Sequence, residues 1–238
     1  MLAIGVEILL LSIAYTFVPI MRAIELEYAQ THLMYVWLFL VLGVLFTISI
    51  PAAIVCNERE SRTWPLLLVT PLTDRDLVIG KFAGVLRRCG PVWLPLFAYV
   101  AGFTMAGGFH SLAVVHVMLI MASVILFLCA TGFYFGSRFN RTTEAVTANL
   151  ITAGVVWLVL PLVAQSMAGI NGTECFAGVP FVQASVLVAT TLIGEEKHVR
   201  GLNAGEGTLV TLACLLGYLL AARVFLWRAV RAFRRNIV

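Results

Sequence analysis

Apolar runs about as long as a bilayer is thick recur along this chain, and they decide what it can fold into. Each hydrocarbon crossing takes about 20 apolar residues as a helix. Within lipid every backbone N–H and C=O must be paired inside the segment, which favours α-helices. Six such runs lie at about 2–21, 33–55, 91–108, 112–136, 145–168 and 208–227. Composition agrees: 61% of the 238 residues are hydrophobic, 12% are charged, and the mean hydropathy is +0.98. A water-soluble domain has about twice that share of charge. The expected fold is therefore all-α, a polytopic membrane helix bundle of about six spans forming one domain over 1–238. That leaves no room for a large soluble domain.

The charges set the orientation. Thirteen of the sixteen Lys and Arg fall after spans two and four and at the C-terminal end: Arg59, Arg62, Arg75, Lys81, Arg87, Arg88, Arg138, Arg141, Arg223, Arg228, Arg231, Arg234 and Arg235. Only Arg22, Lys197 and Arg200 fall on the other side. Cytoplasmic loops carry the excess of Lys and Arg, so both termini are expected in the cytoplasm and the number of spans is even. The net charge of +4 sits at the ends of apolar runs, which points to a membrane and not to nucleic acid. The stretch Phe176 to Gly194 is apolar but of borderline length. As a full span it would carry the arginine-rich tail outside, so it reads as part of an outer re-entrant segment over 170–206. The first run lacks a basic n-region, carries Glu7 and continues to Pro19, so it reads as a retained span and not a cleaved signal.

Several polar residues have two readings. Glu7 is an intramembrane acid, a functional candidate by default, or it reaches the interface near the start of span one. Gln165 and Gln183 line an outer cavity or hydrogen-bond between helices. Asn171-Gly-Thr173 fits a glycosylation sequon, which counts only in a eukaryotic secretory pathway. His110 and His116 have no carboxylate or second His at ligand spacing, and the five cysteines are scattered, so no metal site is expected. Gly132 and Gly136, one turn apart in span four, suit close helix packing.

The most informative segment is 56–89, whose core reads NERESRTWPLLLVTPLTDRDLVIGKFAGVLRR. A charged cluster (Glu58, Arg59, Glu60, Arg62) follows span two. An apolar hexad, Trp64 to Val69, is too short to span, with Pro65 suited to a first helical turn and Pro71 to a stop. Thr73 and Asp76 match a capping box that opens a second helix carrying Lys81, Arg87 and Arg88. Two short helices joined by a hinge are expected on the inner membrane face. On charge alone, a cytoplasmic loop whose arginines meet lipid headgroups fits as well.

Glu58-Arg-Glu60-Ser-Arg-Thr63, the leucine run, Thr70-Pro71-Leu-Thr73 and Gly80-Lys81 resemble the cytoplasmic coupling segment of type-2 ATP-binding-cassette (ABC) exporter permeases. The six-span layout with an outer re-entrant segment extends the resemblance along the chain. Arg62 stands where that family usually has Gly, and Pro65 where it often has an acid. The amphipathic helix that usually precedes the first span does not precede it here. The resemblance implies a permease subunit that moves a substrate across the cell membrane, paired with a second copy or a different permease. ATP would be hydrolysed by a separate ABC ATPase subunit, with ATP and Mg on that partner and no cofactor on this chain. It also implies an ATPase-coupling interface of Glu58, Glu60, Arg62, Thr63, Leu66, Leu67, Leu68, Thr73 and Lys81. The leucines have a second reading, as an anchor in the headgroup region.

Gly80-Lys81 lacks the upstream Gly and the following Ser or Thr of a phosphate loop, so the chain is not expected to be an ATPase or another enzyme. An intramembrane lipid-modifying enzyme would need a convergent catalytic set, and neither a His-Glu-x-x-His nor a Gly-x-Ser-x-Gly occurs. A secondary transporter would show internal repeats and midplane charges, which are not evident. A membrane anchor or scaffold without transport is the remaining alternative, and ATPase co-purification would separate it from a permease.

Overall fold

The computed structural model describes residues 29–60, 74–168, 176–191 and 204–232. Of these, 92% are helical and none form strands, so the chain is an all-α membrane helix bundle. In chain order the helices are α1 (Ala29–Glu60), α2 (Asp74–Cys89), a 3-10 turn (Gly90–Trp93), α3 (Leu94–Met105), α4 (Leu112–Arg138), α5 (Thr142–Gly154), a π-turn (Val155–Val159), α6 (Leu160–Ala168), α7 (Pro180–Thr191) and α8 (Ala204–Ala232). Four stretches among the described residues are long and apolar enough to cross a membrane: Gln30–Asn57, Leu112–Arg138, Thr142–Ser166 and Thr211–Arg231. The apolar run at 2–21 lies outside the described residues.

Helix α4 is the hub, packing on α8, α1, α5, α3, α7 and α2. At 1.5 Å per residue its 27 residues reach about 40 Å. Small residues let its neighbours in. A Cβ on Gly136 would stand 2.9 Å from the carbonyl oxygen of Ala52, and one on Gly132 would stand 3.0 Å from Pro51. Only glycine permits α1 and α4 to approach so closely, as the spacing of these two residues suggests. Between lipid-exposed helices such van der Waals contact, not water exclusion, drives association.

Span three is not one helix. Pro91 has no N–H to donate and Pro95 opens α3, so the path from α2 narrows to a 3-10 turn before continuing. The α3–α4 reversal turns on Gly107, whose φ of +79° suits a residue without a Cβ. His32, read from sequence as part of a polar link, instead sits in the first turns of α1 and is buried. It hydrogen-bonds the Tyr99 hydroxyl at 2.9 Å and meets the rings of Phe103 and Phe109 edge-on.

Helix α7 has twelve residues, about 18 Å, too short to cross a core about 30 Å thick. Beside its first turn, the carbonyl of Gly178 accepts from the Tyr218 hydroxyl at 2.6 Å, partway along α8. At its last turn, the carbonyl of Thr191 accepts from the His110 N–H at 2.8 Å, at the α3–α4 turn. It therefore lies in the half of the bundle away from the arginines, packed on α4, α1 and α8.

Candidate functional site

Helix α1 continues unbroken to Glu60, which puts Glu58 and Glu60 on its last turn. Helix α2 starts at Asp74, next to Thr73, and carries Lys81 half-buried near its middle. Arg62, Thr63, Leu66, Leu67, Leu68 and Thr73 lie outside the described residues, as do Glu7, Cys175 and the Asn171 sequon. The described part of the segment is thus its two helical shoulders, both built into the bundle's arginine-bearing end.

The second shoulder is more deeply set than a helix lying on the membrane face. Val78, Val85 and Cys89 are buried with Val55 of α1, Cys129 and Phe133 of α4, and Ala229 of α8. Phe82 meets the Phe133 ring edge-on at 6.2 Å. Positions 78, 82, 85 and 89 follow the helical period of three and four, which turns one stripe inward. That stripe is readable in the sequence, where the charges of the same helix conceal it.

Downstream, the 3-10 turn is pinned to α1. Trp93 is fully buried, and its indole N–H donates to the Thr47 hydroxyl at 2.9 Å. Thr47 in turn donates to the Gly43 carbonyl at 2.7 Å. A Cβ on Gly43 would come within 3.0 Å of the indole, so the ring lies flush against the α1 backbone. Helices α2 and α3 therefore form a jointed rod fixed at its joint.

A polar clasp closes the contact between α1, α4 and α5. The Asn149 amide donates to the Ile48 carbonyl at 2.9 Å, and the Thr131 hydroxyl donates to the Asn149 side-chain oxygen at 2.6 Å. Pro51 deprives the Thr47 carbonyl of its helical donor, so the clasp grips α1 where its own ladder is weakest. Sequence reading did not single out Asn149. An Asn one-third of the way into an apolar span was the available signal.

Away from the arginines, the π-turn carries Trp157 against Phe127, which also stacks with Tyr218. The Trp157 indole N–H is turned toward the Tyr218 hydroxyl and the buried Gln183 amide toward the Cys214 thiol. Gln165 is half-buried on α6. Among the described residues, no three His, Cys, Asp or Glu gather to hold a metal, and Cys89, Cys129 and Cys214 are free thiols. These features are mechanical: a rod, a pin and a clasp that connect a polar segment to the spans.

No curated protein matches the chain. A family model described as "ABC-2 family transporter protein" matches residues 9–226. Members of that family are membrane components of ABC transporters and work with ABC ATPase subunits. The match covers nearly the whole length, and the chain belongs to the ABC-2 family of transporter proteins as a membrane permease.

Proposed function

We propose that this chain is the permease subunit of an exporter in the cell membrane, driven by a separate ATPase that docks on segment 56–89. Both termini lie in the cytoplasm, with the arginines, by the positive-inside rule. ATP and Mg belong to the partner. Glu58, Glu60, Arg62 and Thr63 supply polar contacts to it, Leu66, Leu67 and Leu68 a packed face, and Thr73 and Lys81 the start and body of the helix that receives the push. Two permeases, identical or different, enclose the path.

The observation that carries this reading is the jointed rod. Helix α2 packs on α4, α1 and α8 and leads through the pinned Trp93 turn into α3. A push on α2 is therefore delivered to the spans as a rigid-body displacement. Pro51 and its Asn149 clasp give the lower part of α1 a place to pivot.

The test is a Glu58→Ala, Glu60→Ala double variant in the complex. Loss of two charge-assisted contacts, each worth about 1.5–3 kcal/mol, weakens ATPase co-purification at least tenfold. Unchanged co-purification, together with unchanged ATP hydrolysis in proteoliposomes, would refute the contact assignment.

A further inference from the structure

Between α2, α4 and α8 lies a trough of about 730 Å³ whose walls include Val78, Phe82, Leu126, Leu219, Arg223 and Trp227. Along α8 it extends from Leu216 to Val230, about 21 Å at the helical rise, from mid-span to the arginine-rich end. Its lip faces outward: Ile79 is 52% exposed and Leu220 66%. We infer that this trough holds one acyl chain of an anionic phospholipid from the leaflet at the arginine-rich end, with the headgroup phosphate paired to Arg223.

Charge selects the occupant. A single alkyl chain suits the apolar walls, and from Arg223 down to Leu216 it has about 10 Å of α8 to lie along. Among the described residues that line the trough, Arg223 is the one charged side chain. A cation this close to hydrocarbon requires an anion or a path to the interface. Two turns further along α8, the Arg231 guanidinium stacks 3.7 Å over the ring of Trp227, which lines the trough. Arginines beside an apolar slot are the chemistry that recognises a phosphodiester headgroup. Because α2 forms one wall of the trough, its lipid lines the helix proposed to receive the ATPase stroke. The inference needs only the membrane placement of the bundle and stands whether or not that proposal holds.

The test uses the full chain, purified with whatever partner accompanies it, in nanodiscs holding equal phosphatidylglycerol and phosphatidylcholine. A photo-crosslinking residue at Leu220 reports the occupant, and one at Leu158, exposed on the far face of the bundle, reports bulk lipid. The expected result is a phospholipid adduct at Leu220 enriched in phosphatidylglycerol about fivefold over the Leu158 control, the size of about one cation's contribution. Arg223→Gln should abolish that enrichment, Arg223→Lys should keep it, and Ala222→Trp, which fills the trough, should lower adducts of both lipids. An equal lipid ratio at the two positions would overturn the inference. So would an enrichment that survives Arg223→Gln, or an adduct to residues 2–21 or to a second copy. ATPase co-purification, measured separately, does not bear on any of these outcomes.

Discussion

At the end of the bundle remote from the arginines, rings and hydrogen bonds tie four helices together. His32 to Tyr99 joins α1 to α3, Trp37 to Ser185 joins α1 to α7, and Tyr218 joins α8 to Gly178 at the foot of α7. At the arginine-rich end, α1 and α4 are held by close approach at Gly132 and Gly136 and by the Asn149 clasp, while α2 meets α8 beside an open trough. The first end is cross-linked among α1, α3, α7 and α8. The second is tight on one side and open on the other. Elements with fewer buried contacts open at lower free energy, so α2 is placed to move while the opposite end stays fixed.

Substitutions can break this contrast. The largest effect is expected at the joint between the two halves. Trp93→Ala removes a fully buried indole and its bond to Thr47, and large-to-small core changes of this kind cost about 3–5 kcal/mol. Thermal denaturation in detergent should show a marked fall in midpoint, and an unchanged midpoint would mean the joint is not pinned. Asn149→Leu comes next. It deletes two inter-helix bonds at up to about 1.7 kcal/mol for a strong one, and it should loosen α1 from α4, seen as faster hydrogen exchange around residues 48–56. Tyr218→Phe removes a single hydroxyl, about 0.6 kcal/mol on average. Exchange should rise only near Gly178, with the arginine-rich end unaffected. A rise there instead would erase the distinction between the ends.

Much of this architecture is legible in the sequence because a bilayer imposes length and polarity on each segment. The runs that become α1, α4 and α8 stand out for that reason, and the small residues Gly132 and Gly136 point to the tightest helix contact. The Gly90-Pro91 break at the start of the third run is also visible, since proline removes a donor wherever it falls. What stays hidden is pairing across helices. Nothing in one sequence says that Asn149 meets the Ile48 carbonyl, that Trp93 stacks on Gly43, or that His32 belongs in the core and not in a link. These depend on the rotation of each helix about its axis, and a helix apolar all round carries little rotational signal. In α2, where charges and apolar residues alternate, the inward stripe of Val78, Phe82, Val85 and Cys89 could be read, yet the charges favoured a surface placement. The proposed coupling interface rests on a family motif, and its Arg62 to Thr73 portion falls outside the described residues.

The central claim, that a partner ATPase drives the spans through α2, is tested most directly by distance. Spin labels at Ile79 and Val224, exposed on α2 and α8, report the arginine-rich end, and labels at Met34 and Ala189 report the opposite end. Pulsed electron spin resonance on the complex with its ATPase, nucleotide-free and then ATP-trapped, compares the two pairs. The account predicts a shift of several ångströms for Ile79–Val224, about one helical turn at most, and no shift for Met34–Ala189. Equal shifts in both pairs, or a shift confined to Met34–Ala189, would contradict it.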